Sequence, residues 1–221
     1  MSKVVLFFGD SITDAKRSYV EDEALPMIHY LGSGYASMVS GALGAEEPYT
    51  YQCYNRGISG NRIVDLYARI KKDAINLKPD YMSILIGING VWHEYSQKNG
   101  VSAEKFEMVY DLLIQELKQA LPDLKIMIME PFVLHGRSTC SSEICPGRWE
   151  HFSSETPLRA AAAKRIAEKH NLVFVPLQEM FDRAEATAPF EGYWLYDGVH
   201  PSAAGHELIK QAWLEGFEKL K

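Results

Sequence analysis

The chain has 221 residues, of which 47% are apolar and 24% charged, and its net charge is -6 at pH 7. That length suits one domain spanning 1–221 rather than two and is ample for a sizeable core. The composition excludes a disordered chain. No run approaches the roughly 20 apolar residues of a membrane span, so no membrane partner is expected. The acidic balance argues against general nucleic-acid binding, which rests on basic patches.

Taken in order, the chain alternates short apolar runs with helical patterns. Met1-Ser2-Lys3 leads into Val4 to Phe8, which reads as a buried strand and is too short for the core of a secretion signal. A weaker run, Thr50 to Tyr54, follows, and then Tyr81 to Ile88, Lys125 to Phe132 and Leu172 to Leu177. These runs are rich in Ile, Val, Phe and Met and are bounded by Gly, Pro or Asp, as strands covered on both faces are. Helices are predicted over Tyr35 to Leu43, Arg62 to Leu77 and Ala103 to Ala120. A fourth should open at Thr156 as N-cap, with Pro157 as its first residue, and run to His170. The last should run from about Pro201 to Leu220. Alternating strands and helices predict an α/β fold, a three-layer α/β/α sandwich around a mainly parallel five-stranded sheet. Sites in such sheets form beyond the carboxyl ends of the strands.

Those ends carry four signals. Gly9-Asp10-Ser11-Ile12-Thr13-Asp14 places a hydroxyl two residues beyond the first strand, where backbone N–H groups can face a carbonyl substrate. It is equally well a strand-to-helix turn capped by Ser or Asp. Asn55 to Arg62 contains Gly57 and Gly60, and the N–H of Gly60 can point outward where a helix begins. Gly87-Ile88-Asn89-Gly90 offers an amide that could hold an oxyanion, or simply an Asn suited to a turn. Tyr196-Asp197-Gly198-Val199-His200-Pro201 sets a carboxylate three positions before a histidine across a tight Gly turn, where the acid can orient a His base without long-range help, or where the histidine is simply a surface residue.

The combination resembles the SGNH hydrolases, the GDSL-type lipases and esterases, over nearly the whole chain. The resemblance rests on Gly9 to Thr13, Asn55 to Gly60, Gly87 to Asn89 and Asp197 to Pro201. Asp14, Arg17, Gly60-Asn61-Arg62, Trp92 and the stretch Tyr196 to His206 are most similar to the intracellular carbohydrate acetyl esterases of the acetylxylan type. The resemblance implies a flavodoxin-like fold and a triad of Ser11, Asp197 and His200. It implies an oxyanion hole of the Ser11 N–H, the Gly60 N–H and the Asn89 side chain, and a substrate that is a small-molecule or oligosaccharide ester. A lysophospholipase or acyl-thioesterase on the same scaffold, and a non-catalytic sugar-binding protein on a degenerate one, are the competing readings. The family usually has Asp where this chain has Gly90, an acid expected to brace the oxyanion loop.

Asp10, Trp92, His93 and Trp194 are candidates for substrate contact, the two tryptophans because flat aromatic faces suit pyranose rings, although core packing is the commoner use of a Trp. Trp149 shares that argument. The seven histidines include no His-x-x-x-His pair and the three cysteines no Cys-x-x-Cys pair, so neither a metal site nor a cofactor is expected. Cys140 and Cys145 could pair across a small loop, but Cys53, Cys140 and Cys145 read better as free thiols of a reducing compartment, which with the start of the chain predicts a cytoplasmic protein. Gly136 to Ser154 is the longest stretch without periodicity, a substrate-side loop or a homo-oligomer contact.

Overall fold

The computed structural model describes residues 2–20 and 28–221. Five strands, β1 (Lys3–Gly9), β2 (Tyr51–Gly57), β3 (Tyr81–Leu85), β4 (Lys125–Met129) and β5 (Val173–Val175), form one sheet in the order β2-β1-β3-β4-β5, and every pairing is parallel. The helices are α1 (Ser11–Asp14), α2 (Ile28–Leu31), α3 (Tyr35–Glu46), α4 (Ile63–Ala68), α5 (Ile70–Asp73), α6 (Ile88–Gln97), α7 (Ala103–Ala120), α8 (Arg148–His170), α9 (Gln178–Glu185) and α10 (Ala203–Glu218).

Alternation along β1 builds the two helix layers. Val5 and Phe7 face α3 and α10, where Phe7 meets Tyr35 edge-on at 5.8 Å and Trp213 at 5.3 Å. Leu6 and Phe8 face the other layer, packing with Ile63 and Leu66 of α4, Phe106 and Leu113 of α7, and Ile166 of α8. Each such side chain, fully buried, contributes about 1.5–3 kcal/mol relative to exposure. The order 2-1-3-4-5 makes the connections diverge at β1 and β3, so a crevice opens beyond their carboxyl ends.

All five expected strands are present, with shifted ends. β2 begins one residue late and continues to Gly57, paired along its length with β1. β3, β4 and β5 stop short of Ile88, Phe132 and Leu177. The Gly87-Ile88-Asn89-Gly90 stretch is not a turn. It is the entry of α6, a helix absent from the sequence reading because its two glycines look like turn signals. The expected helix Arg62 to Leu77 is broken into α4, α5 and a 3-10 turn at Ile75–Leu77. The first break falls at Arg69, whose guanidinium is drawn off to carbonyls at the sheet edge.

α8 starts at Arg148, eight residues before the expected cap. Thr156 is buried, its hydroxyl has no partner among the described residues, and Pro157 lies inside the helix. The Ser154 hydroxyl bonds the Glu150 carbonyl at 2.6 Å, and packing of Phe152, Ala160 and Ala163 outweighs the proline's lost donor. α10 begins at Ala203, with Ser202 as its cap accepting from the Gly205 N–H at 3.2 Å; Pro201 instead bridges to Leu195. α9 was also absent from the sequence reading. The three cysteines are unpaired.

Candidate active site

The crevice collects the four sequence signals. Gly9 ends β1, and Asp10 caps α1 by accepting from the Ile12 N–H at 3.0 Å, which sets Ser11 at the helix start. Ser11 Oγ lies 2.9 Å from His200 Nε2, and His200 Nδ1 lies 2.8 Å from Asp197 Oδ2. The other Asp197 oxygen accepts from the backbone N–H groups of Val199 at 3.0 Å and His200 at 2.8 Å, so the carboxylate is fully held. The Asp197–His200 turn needs its glycine: Gly198 has φ 95°, and a Cβ there would meet Thr139 Oγ1 at 2.4 Å and the Leu134 carbonyl at 2.6 Å. Residues beyond β4 lock the turn in place. Leu134 N–H donates to the Gly198 carbonyl at 2.9 Å, and Ser138 N–H to the Asp197 carbonyl at 3.0 Å.

The charges around His200 favour its protonated form. Burial works against the imidazolium, but the hydrogen bond and charge of Asp197, with the charge of Asp10, outweigh it and hold the histidine above its ordinary value of 6.5. Asp197 is itself buried, yet its bonds to His200 keep it below the usual carboxylate range. Asp10 is fully buried, and burial pushes its carboxyl up to about 7.

Gly60 and Asn89 face the same crevice. Gly60 has φ 82° in the loop between β2 and α4. That loop is tied down by Asp14, whose Oδ2 accepts from the Ser59 N–H at 3.0 Å, the Ser59 hydroxyl at 2.8 Å and the Tyr19 hydroxyl. Arg17 Nε donates to the Gly57 carbonyl at 2.9 Å. Asn89 is buried in the first turn of α6, and its Nδ2 donates to the Asn61 carbonyl at 3.1 Å. One amide proton is thereby fixed and the other is left for a ligand. The role expected of an acid at position 90 is filled by main chain. Gly90 accepts from the Val101 N–H at 3.1 Å, and buried Arg159 donates to the Val101 carbonyl at 2.7 Å.

A cavity of about 700 Å³ opens over Ser11, Gly60, Asn89 and His200. Trp92 and His93 line it, with the Trp92 ring 6.0 Å from that of His200. His93 is kept below its usual value by burial and by the Arg62 cation. Two expected contact residues are elsewhere. Asp10 is buried beneath the cavity as a cap, and Trp194 ties the entry of α10 to α9, its carbonyl accepting from the Ser202 N–H at 2.9 Å and its Nε1 donating to the Ala184 carbonyl at 2.9 Å. Neither lines the cavity. Trp149 packs against the core and against His135, ring to ring at 5.1 Å.

Several residues at the site escaped the sequence reading. Tyr196 stacks on His200 with centroids 5.7 Å apart and 19° between planes; it stood in the quoted motif, but only as a neighbour of Asp197. His206 lines the cavity, and burial pushes it down to about 4, so it stays neutral and accepts the Tyr35 N–H at 3.2 Å. Arg69 donates to the carbonyls of Arg56 and Gly9 at 2.8 and 3.1 Å and to Asn61 Oδ1 at 2.8 Å, joining the ends of β1 and β2 to the Gly60 loop. An arginine between Leu66 and Ile70 on the buried stripe of a helix was the available signal.

Comparison with known proteins places the chain among similar sequences and structures. The model of the GDSL-like Lipase/Acylhydrolase family matches residues 7–208. An acetylxylan esterase of Geobacillus stearothermophilus is 35% identical over 98% of this chain and 95% of its own. A structure described as a GDSL-like lipase from Parabacteroides merdae superposes with TM-score 0.89 at 33% identity, covering 100% of this chain and 97% of that one. A catalytic mutant of Axe2, an acetylxylan esterase of Geobacillus stearothermophilus with a serine replaced by alanine, superposes with TM-score 0.82 at 32% identity, covering 98% and 95%. With its family model matched over residues 7–208 and a relative 35% identical over 98% of its length, the chain belongs to the GDSL-like lipase/acylhydrolase family.

Proposed function

We propose that the protein is a serine esterase that removes acetyl groups from acetylated xylo-oligosaccharides, with Ser11, His200 and Asp197 as its triad. Membership of the family and the acetylxylan esterase relative make the chain a carboxylic ester hydrolase. The observation that carries the finer reading is the relay of 2.9 and 2.8 Å from Ser11 Oγ through His200 to Asp197, opening on a cavity of about 700 Å³.

Ser11 Oγ attacks the acetyl carbonyl while His200 Nε2 takes the hydroxyl proton, and Asp197 fixes the tautomer and stabilises the imidazolium. The oxyanion is held by the N–H groups of Ser11 and Gly60 and by Asn89 Nδ2. Donors already fixed in place cost no reorganisation as the charge develops. His200 returns the proton to the leaving sugar hydroxyl, and water, activated in the same way, releases acetate and regenerates Ser11. Tyr196 and Trp92, beside His200, offer aromatic faces to the sugar. One hydrolase domain accounts for the chain. Three unpaired thiols favour the cytoplasm, and no helix among the described residues is long and apolar enough to cross a membrane.

Product analysis tests this reading. Acetylated xylo-oligosaccharides should release acetate, and p-nitrophenyl acetate should be cleaved in preference to the octanoate. A preference for octanoate would mark a lysophospholipase or thioesterase instead, and no hydrolysis of any ester a sugar-binding protein.

A further inference from the structure

Trp92 lines a second cavity as well as the first. This one, about 480 Å³, is bounded by Tyr95 from α6, Phe152 and Arg148 from α8, and Ser138 and Cys145 from the irregular segment before α8. The walls are fixed. Trp92 meets Phe152 edge-on at 5.5 Å, and Tyr95 donates its hydroxyl to the Pro146 carbonyl at 3.0 Å. Arg148 is half-buried. Its guanidinium lies over the Tyr95 ring at 5.4 Å, donates to the Ser138 carbonyl at 3.5 Å and touches Cys145 Sγ. None of those partners is a carboxylate, and among the described residues no carboxylate pairs with this cation.

An acyl chain would not bring a partner for a guanidinium, and a neutral sugar would not require one. Aromatic faces suit the C–H face of a pyranose, and the guanidinium fork matches a planar carboxylate. We propose that the second cavity is a subsite for a uronic-acid unit borne on the same oligosaccharide as the acetylated sugar, with Arg148 pairing its carboxylate. Because Trp92 borders both cavities, the acidic unit sits next to the acetylated one. The proposal rests on the acetyl-oligosaccharide reading above and makes Arg148 a specificity-determining residue.

Binding and hydrolysis separate the two claims. Ser11→Ala, which leaves the cavity walls intact, is titrated calorimetrically with a deacetylated xylo-oligosaccharide bearing a uronic acid and with its neutral counterpart. The acidic ligand should bind about tenfold tighter, as one charge-assisted pair implies. Adding Arg148→Gln should erase the difference, and Arg148→Lys, which keeps the charge, should retain part of it. Equal affinities of the two ligands, or a difference that survives Arg148→Gln, would overturn the subsite. The ligand comparison in Ser11→Ala alone needs no change at position 148, so it decides even if the glutamine variant fails to fold. In the wild type, acetate release from both acetylated oligosaccharides with the same KM overturns the subsite only. Cleavage of p-nitrophenyl acetate with no acetate from either oligosaccharide overturns the reading on which it rests.

Discussion

Ser11 and His200 stand 189 positions apart in the chain and 2.9 Å apart in space, and the residues around them set when the pair can work. His200 must be unprotonated to accept the serine proton. Its pKa is raised above 6.5, so kcat/KM should be full above that raised value and fall as pH drops through it. Asp10 contributes to the rise through its charge. Asp10→Asn keeps an oxygen to cap Ile12 and removes only the share of the rise that the ionised fraction of Asp10 supplies, so the acidic limb should move at most slightly to lower pH; a limb moved to higher pH would contradict the account. The same variant should be more stable than wild type at pH 8 and gain less at pH 5. The buried acid prefers its proton, with a folded pKa of about 7 against an ordinary 3.8, so the folded state binds more protons between those values and stability falls as pH rises through them. Asn89→Ala should cost about 10² to 10³ in turnover, the usual effect of losing one oxyanion donor. Its melting temperature should stay near that of wild type, because the Val101 and Arg159 contacts that brace the first turn of α6 are untouched.

At the scale of elements, the interior is built by alternation on the strands and stripes on the helices. α7 shows it most simply: its bounds agree with the sequence reading, Ser102 caps it, and Phe106, Tyr110, Leu113 and Leu117 are buried. Leu113→Ala should destabilise by about 2–5 kcal/mol in denaturant titration, the range for a fully buried leucine. α8 shows the opposite case. Its hydrophobic pattern continues through Pro157, and the rule that places proline at a helix start was overridden by packing of the preceding turns. Pro157→Ala restores a donor in mid-helix and should raise stability by about 1–3 kcal/mol. A melting temperature that falls instead would mean the proline ring itself fills a required space. Element existence was thus readable where long apolar periods run between clear caps. It failed where glycines open a helix, as at Gly87 and Gly90, or where one buried arginine, Arg69, interrupts it.

At the scale of the whole molecule, the sheet order brings the ends of β1, β2 and β3 beside the turn that precedes α10. The residues that meet in the crevice were legible because Ser11, Gly60, Asn89, Asp197 and His200 each lie within a few residues of a strand end, a helix start or a tight turn, in short local patterns. The surroundings were not. Tyr196 over His200, neutral His206 and the second cavity behind Trp92 depend on contacts between segments far apart in sequence. Asp10 and Trp194 were misplaced because nearness to a catalytic residue in sequence is not nearness to its cavity. The net charge of -6 argues against a broadly basic surface and is compatible with the local role proposed for Arg148. The central claim is that Ser11 is the nucleophile activated by His200. Treatment with a serine-directed phosphonate, followed by mass analysis of the intact chain and its peptides, tests it most directly. One adduct on the peptide carrying Ser11, lost in Ser11→Ala and slowed severely in His200→Ala, is the expected result; an adduct on another residue, or undiminished labelling and ester hydrolysis by Ser11→Ala, would contradict it.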